Sequence, residues 1–257
     1  MTALIDLVGK RGLVVGIANE SSIACGCARA FRAAGAELAI TYLNAKAERF
    51  VRPLADQLQA SIVAPCDVQV DGELEAVFGQ IAQQWGRLDF LLHSIAFAPR
   101  DDLHGLLVNC SAAGFSIAMD VSCHSFIRMA KLALPLMRDG GSLQTVSFYG
   151  ASRVVEHYNL MGPVKAALES VVRTLAADLA DAGIHVHALS AGPVKTRAAS
   201  GIDHFDELLD RVQERTPSGQ LVTIDEIGRL AAFLASDAGS PLTGSVSYAD
   251  RGFHITA

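Results

Sequence analysis

Seven short runs rich in strand-forming residues recur along the chain with helical stretches between them: Gly12–Gly16, Glu37–Tyr42, Ser61–Cys66, Leu88–Ile95, Ser142–Phe148, His185–Ser190 and Ser245–Ala249. This alternation constrains the fold more than any other feature, because consecutive strands of one sheet joined by helices must run parallel. Several runs are apolar on consecutive residues, as in Leu13-Val14-Val15 and Phe90-Leu91-Leu92, so helices must cover both faces of the sheet. The pattern predicts an α/β protein with a doubly wound, seven-stranded parallel sheet. No internal repeat, low-complexity tract or long linker divides the 257 residues, and one domain spanning 1–257 is expected.

Hydrophobic residues make up 51% of the chain and charged residues 19%, which excludes disorder and demands extensive burial. The 21 basic and 27 acidic side chains give a net charge of -6 without any block of like charge, which argues against a nucleic-acid partner. No apolar run reaches the ~18 residues that a membrane span needs, so a cytoplasmic protein without a membrane partner is expected. The five cysteines are odd in number, and beyond Cys25-x-Cys27 they are scattered. No second ligand pair accompanies them, and no metal is expected.

Two helical segments speak to assembly. Phe115–Met137 carries only Asp120, Arg128 and Lys131 as formal charges, with apolar residues on all sides, so it needs cover on more than one face. The next helix, near Ala166–Ala180, lines Leu168, Val171, Val172, Leu175 and Leu179 on one stripe and the small Ala166, Ser170, Thr174 and Ala177 on another. A subunit interface, and a homotetramer, are expected from these.

The first strand ends in Gly16-Ile17-Ala18-Asn19-Glu20-Ser21-Ser22-Ile23, which leads into a helix. Gly16 permits a tight turn, Ser21 or Ser22 can cap, and the helix N-terminus offers amides and a positive dipole end to a pyrophosphate. In a doubly wound sheet the ligand lies along the carboxyl ends of the strands. There the chain places Asp67 and Val68, suited to an adenine, and the slim Ser94, Ile95 and Ala96, which let a ribose approach the backbone. Leu43 stands at the end of the second strand, where neither an acid nor an arginine marks the choice between NADH and NADPH.

The most informative stretch runs from Ser147 to Lys165. Tyr158 and Lys165 are seven residues apart, which within one helix would put both on one face about 10 Å apart along the axis. A tyrosine hydroxyl there can stabilise a developing oxyanion, and a lysine can hold ribose hydroxyls. The only Tyr-x3-Lys of the chain, Tyr42 and Lys46, follows the second strand on the adenosine side.

These residues resemble the bacterial enoyl-acyl-carrier-protein reductase family, a divergent branch of the short-chain dehydrogenase/reductases. Its marks occur in order: Gly16 with Ser22-Ile23-Ala24-x-Gly26, Cys66-Asp67-Val68, His93-Ser94-Ile95-Ala96-Phe97-Ala98, Tyr158-x6-Lys165, and Ser190-Ala191-Gly192-Pro193-Val194-Lys195-Thr196-Arg197. The resemblance implies a Rossmann-type fold and an NADH-dependent enoyl reductase of fatty acid synthesis, with NADPH not excluded. Its substrate would be an enoyl thioester on acyl carrier protein. Tyr158 would hydrogen-bond the thioester carbonyl and Lys165 the nicotinamide ribose. Gly16, Ser22, Ile23, Asp67, Val68, Ser94, Ile95, Ala96 and Val194 would line the dinucleotide, with Thr196 near its pyrophosphate. Phe97, Ala98, Phe148, Tyr149, Met161 and Phe205 would border the acyl pocket beneath a lid at about 197–211.

Four positions depart from the family pattern. Phe148 replaces a frequent tyrosine, so any polar part played there is absent or passes to Tyr149. Ala96 replaces a usual glycine, Leu43 a frequent glutamine, and Arg251 interrupts a tail usually written Asp-Gly-Gly-Phe. A reductase of ketones and a cofactor-binding homologue without turnover are the alternative readings.

Overall fold

The computed structural model describes residues 5–196 and 205–256. Its seven strands, β1 (Arg11–Val15), β2 (Glu37–Tyr42), β3 (Ile62–Pro65), β4 (Phe90–His93), β5 (Gly141–Phe148), β6 (Ile184–Ala191) and β7 (Val246–Ala249), form one sheet in the order β3-β2-β1-β4-β5-β6-β7. Every neighbouring pair is parallel. All seven expected strands are present, shifted at their ends by at most two residues.

Helices α1 (Ile23–Ala33), α2 (Ala45–Gln57), α3 (Glu73–Gln84), the short α4 (Arg100–Leu103), α5 (Ala112–Met119), α6 (Ser125–Ala133), α7 (Met161–Asp178), α8 (Phe205–Arg215), α9 (Ile224–Ala235) and α10 (Phe253–Thr256) complete the chain. The consecutive apolar residues of each strand divide between two cores. Leu13, Val15 and Leu91 join α3, α6 and α7 on one face, while Val14, Phe90 and Leu92 join α1, α2 and α9 on the other. This two-sided burial is why the strands do not alternate apolar with polar.

The charge-poor segment 115–137 is not one regular helix. Between α5 and α6 a π-helical turn, Asp120–His124, widens the coil. Its Val121, Ser122 and Cys123 are buried, and the Ser122 hydroxyl accepts from the Phe97 amide at 2.9 Å and donates to the Phe97 carbonyl at 3.0 Å. The turn thereby anchors the loop that leaves β4. The order of strands reverses between β1 and β4, so their carboxyl ends open a crevice.

Candidate active site

At the crevice, Gly16 has φ +109, and a Cβ there would lie 2.1 Å from the Ser94 carbonyl oxygen. Only glycine fits, which brings the β1 and β4 ends together; the Ser94 amide donates to the Val15 carbonyl at 2.9 Å. The expectation that Ser21 or Ser22 caps α1 with its side chain is corrected. Ser22 occupies the N-cap position without a side-chain cap bond. Its hydroxyl turns back to accept from the amides of Ala18 and Asn19, both at 3.0 Å, and the Ser21 amide donates to Asn19 Oδ1 at 3.0 Å. The serines thus build the turn, and the first amides of α1, with no acid in the first turn, stay open to an anion. A glycine cradle beside an uncapped helix N-terminus fits a dinucleotide pyrophosphate.

Along the same edge, Val68 is buried and its carbonyl accepts from Arg128 Nη2 at 2.8 Å. Asp67 Oδ1 accepts the Gln69 amide at 3.0 Å, and the Asp67 amide donates to Glu73 Oε2 at 2.7 Å. Ile23, Ser94, Ile95, Ala98, Phe148, Val194 and Thr196 are half-buried, whereas Ala96 and Phe97 are exposed. Leu43 is 53% exposed beyond β2. Arg251 adopts φ 54, a left-handed conformation that favours glycine. Its guanidinium donates to Glu226 at 2.5 Å and to Gln220 at 2.6 Å, gripping the Thr223–Glu226 capping box of α9.

Tyr158 and Lys165 do not share a helix, contrary to the expected two-turn spacing. The helix begins at Met161, and Tyr158 sits in the preceding turn between His157 at φ 62 and Asn159 at φ 39. Pro163 explains the boundary. It has no amide to donate and its ring clashes with the carbonyl four residues back, so it belongs in the first turn of a helix and blocks extension through Tyr158. Both side chains are nevertheless buried. The Tyr158 ring packs edge-on against Phe148 with centroids 4.7 Å apart, and a Cβ on Gly150 would meet it at 2.5 Å. Burial, reinforced by the Glu169 charge, raises the Tyr158 hydroxyl above the usual phenol range, so it remains a proton donor at neutral pH.

Lys165 Nζ donates to the Val146 carbonyl at 2.7 Å. Burial pulls its ammonium down to about 8, opposed by Cys123 and Glu169. Met161 is buried at the start of α7, and Tyr149 lies in a separate apolar cluster with Val212 and Phe253, its ring 5.3 Å from that of Phe253. Of the expected lid, residues 197–204 and the side chain of Phe205 lie outside the described residues. Its remainder belongs to α8, which buries Leu209 and Val212 and pairs Arg211 with Glu156 at 2.6 Å.

Two buried groups take parts that the sequence reading did not assign. His93 bridges Thr145 Oγ1 and Ser125 Oγ, each at 2.8 Å, and burial, with the Lys165 charge, lowers it to about 3. Glu169 accepts from the Ser147 hydroxyl at 2.5 Å. The signal for Glu169 was present: a carboxylate four residues after Lys165 and four before Arg173, one helical turn from each.

The sequence matches the enoyl-(acyl carrier protein) reductase family over residues 16–254. An NADH-dependent enoyl-acyl-carrier-protein reductase of Aquifex aeolicus is 45% identical over 250 residues, covering 97% of this chain and 93% of that protein. The enoyl reductase of Anaplasma phagocytophilum, solved with NAD, superposes with a TM-score of 0.93 at 42% identity over 99% of this chain and 97% of its own. That of Bacillus cereus, solved with NADP+ and an indole naphthyridinone, gives 0.95 at 44% identity over 98% of both chains. With the glycine cradle, the open end of α1 and the buried Tyr158 and Lys165 on one sheet edge, this full-length likeness establishes that the chain belongs to the enoyl-acyl-carrier-protein reductase family.

Proposed function

We propose that the protein reduces the trans-2 double bond of enoyl thioesters on acyl carrier protein with NADH, a reductive step of fatty acid synthesis. The observations that carry this reading are Tyr158 packed on Phe148 at the end of β5 and Lys165 bonded to the Val146 carbonyl, in a sheet whose β1 and β4 ends meet at Gly16 and Ser94 and in a chain whose family match runs almost end to end. NADH, when bound, supplies a hydride to C3 of the enoyl chain.

The chain's own residues hold and polarise. The open amides of α1 receive the pyrophosphate, with Gly16, Ser22 and Ile23 shaping the turn and Val194 and Thr196 closing from β6. Asp67 and Val68 receive the adenine, and Ser94, Ile95 and Ala96 the nicotinamide side. Lys165, as an ammonium, holds the nicotinamide ribose. Tyr158 donates its proton in a hydrogen bond to the thioester oxygen, where negative charge develops, so its contribution is largest in the transition state. Phe97, Ala98, Phe148, Tyr149, Met161 and Phe205 border the acyl chain, and the segment at about 197–211 acts as its lid.

The proposed location is the cytoplasm, which the five free thiols suit, and the proposed assembly is a homotetramer. Among the described residues no helix is long and apolar enough to cross a membrane. The test is oxidation of NADH and of NADPH by the purified protein over a ladder of enoyl thioesters. Turnover of crotonyl thioester is expected. Turnover of acetoacetyl thioester alone, or tight NADH binding without any oxidation, would refute the reading.

A further inference from the structure

The buried carboxylate of Glu169 is used by neither the cofactor edge nor the acyl pocket, yet it sits beneath the reacting pair. Glu169 lies one helical turn beyond Lys165 on α7, on the same face. The two are anchored to consecutive residues of β5: Lys165 Nζ to the Val146 carbonyl at 2.7 Å and Glu169 Oε1 by the Ser147 hydroxyl at 2.5 Å. Both side chains are buried, Lys165 with 4% and Glu169 with 8% of its surface exposed. A buried ammonium bonded to a neutral carbonyl is costly unless an opposite charge lies near.

The other groups that face the pair do not carry that charge. His93, from β4, stays neutral between Thr145 and Ser125. Cys123, from the π-helical turn, acts on Lys165 alongside Glu169, but burial raises its thiol above the ordinary value even though the Lys165 charge draws it back, so it holds its proton where Lys165 loses its own, and Tyr158 does likewise. Arg173, a further turn along α7, is exposed and lowers Glu169 from the solvent side. The Ser147 hydroxyl, donating at a length typical of bonds to a carboxylate, opposes the upward pull of burial on Glu169.

We propose that Glu169 is a positioning residue: its carboxylate, fixed by Ser147, is the counter-charge that keeps Lys165 protonated to hold the cofactor ribose. The inference rests on the proposed function only in taking Lys165 as the ribose contact. It requires that Lys165 lose its charge at lower pH once Glu169 is neutralised, with little effect where the lysine is protonated in either case.

The test is NADH affinity by fluorescence titration from pH 6 to pH 10, with kcat/KM for crotonyl thioester measured alongside. The full-length wild type is compared with Glu169→Gln, Glu169→Met and Glu169→Asp, each checked by thermal melting. In the wild type, affinity should fall above about pH 8. In a folded neutral variant this limb should move about one pH unit towards acid, giving roughly fivefold weaker binding at pH 8, about tenfold at pH 9 and near-equal binding at pH 6. Glu169→Asp should restore the wild-type limb. An unmoved limb in either folded neutral variant, or an equal loss at every pH, would overturn the proposal. A wild type that binds NADH but leaves every enoyl thioester untouched would instead refute the proposed function, while the binding limb still tests Glu169.

Discussion

Tyr158 and Lys165 are positioned by different means, and this separates their roles. Tyr158 is set by a turn with left-handed residues on both sides and by the Phe148 and Gly150 contacts, whereas Lys165 is set by α7 and the Val146 carbonyl. Lys165→Met should therefore weaken NADH binding markedly. Tyr158→Phe keeps the ring packing and loses a bond that strengthens only as the carbonyl gains charge, so kcat should fall about 10²-fold with NADH affinity nearly intact. Fluorescence titration and steady-state rates on both variants decide it, and equal loss of affinity in the two would reverse the assignment. Histidine burial gives a second expectation. His93 is lowered to about 3 and His187 to about 4, both mainly by burial. Each stays neutral when folded and takes up a proton when unfolded below pH 6.5. The stability tied to these groups is thus complete above pH 6.5 and is lost as pH falls towards 3–4. At pH 5 each should cost about 2 kcal/mol. Urea unfolding at pH 7 and pH 5 should show His93→Gln removing about half of that loss, and an identical pH dependence would mean that His93 is not held neutral.

At the level of elements, the cofactor end depends on how closely α1 approaches α9. A Cβ on Gly26 would lie 2.3 Å from the Ile224 carbonyl oxygen, and one on Gly228 would lie 2.4 Å from that of Gly26. The helices meet backbone to backbone, and this contact supports the helix whose N-terminus faces the crevice. Gly228→Ala should destabilise the fold by about 1–3 kcal/mol, because two packed main chains must separate, and urea denaturation that leaves the midpoint unmoved would refute the contact. The strands were legible in the sequence because covering both faces of a sheet produces apolar runs such as Leu13-Val14-Val15. Gly16 was legible as a turn. Elements that depend on tertiary partners were not. A serine before a helix reads as a cap, and only the folded turn shows Ser22 bonding back to Ala18 and Asn19. The π-helical turn leaves no periodic trace where apolar residues already lie on every side. Pro163, by contrast, carried the true start of α7 in the sequence, and the regular spacing of Tyr158 and Lys165 obscured it.

For the whole molecule, the two-sided core accounts for most apolar side chains, yet one surface presents small and apolar side chains, flanked on α7 by the exposed Arg173 and Asp178. On α7, Ala166 is half-buried and Ser170, Thr174 and Ala177 are exposed. Beside it Phe115 on α5 is 42% exposed and Ile127 on α6 is 37% exposed. Small residues let helices of two chains approach closely, and aromatic and aliphatic side chains at the margin supply area that water otherwise covers. This surface is the natural seat of the proposed tetramer. Thr174→Arg tests it, since an arginine amid small side chains must either separate the helices or bury an unpaired charge, a cost of several kcal/mol. Light scattering at micromolar concentration should give four chains of 27.1 kDa for the wild type and one or two for the variant, with NADH still bound because Thr174 lies on the exposed face of α7, remote in sequence from Lys165. A wild type that scatters as a monomer would refute the assembly, and a variant that remains a tetramer would move the interface away from α7.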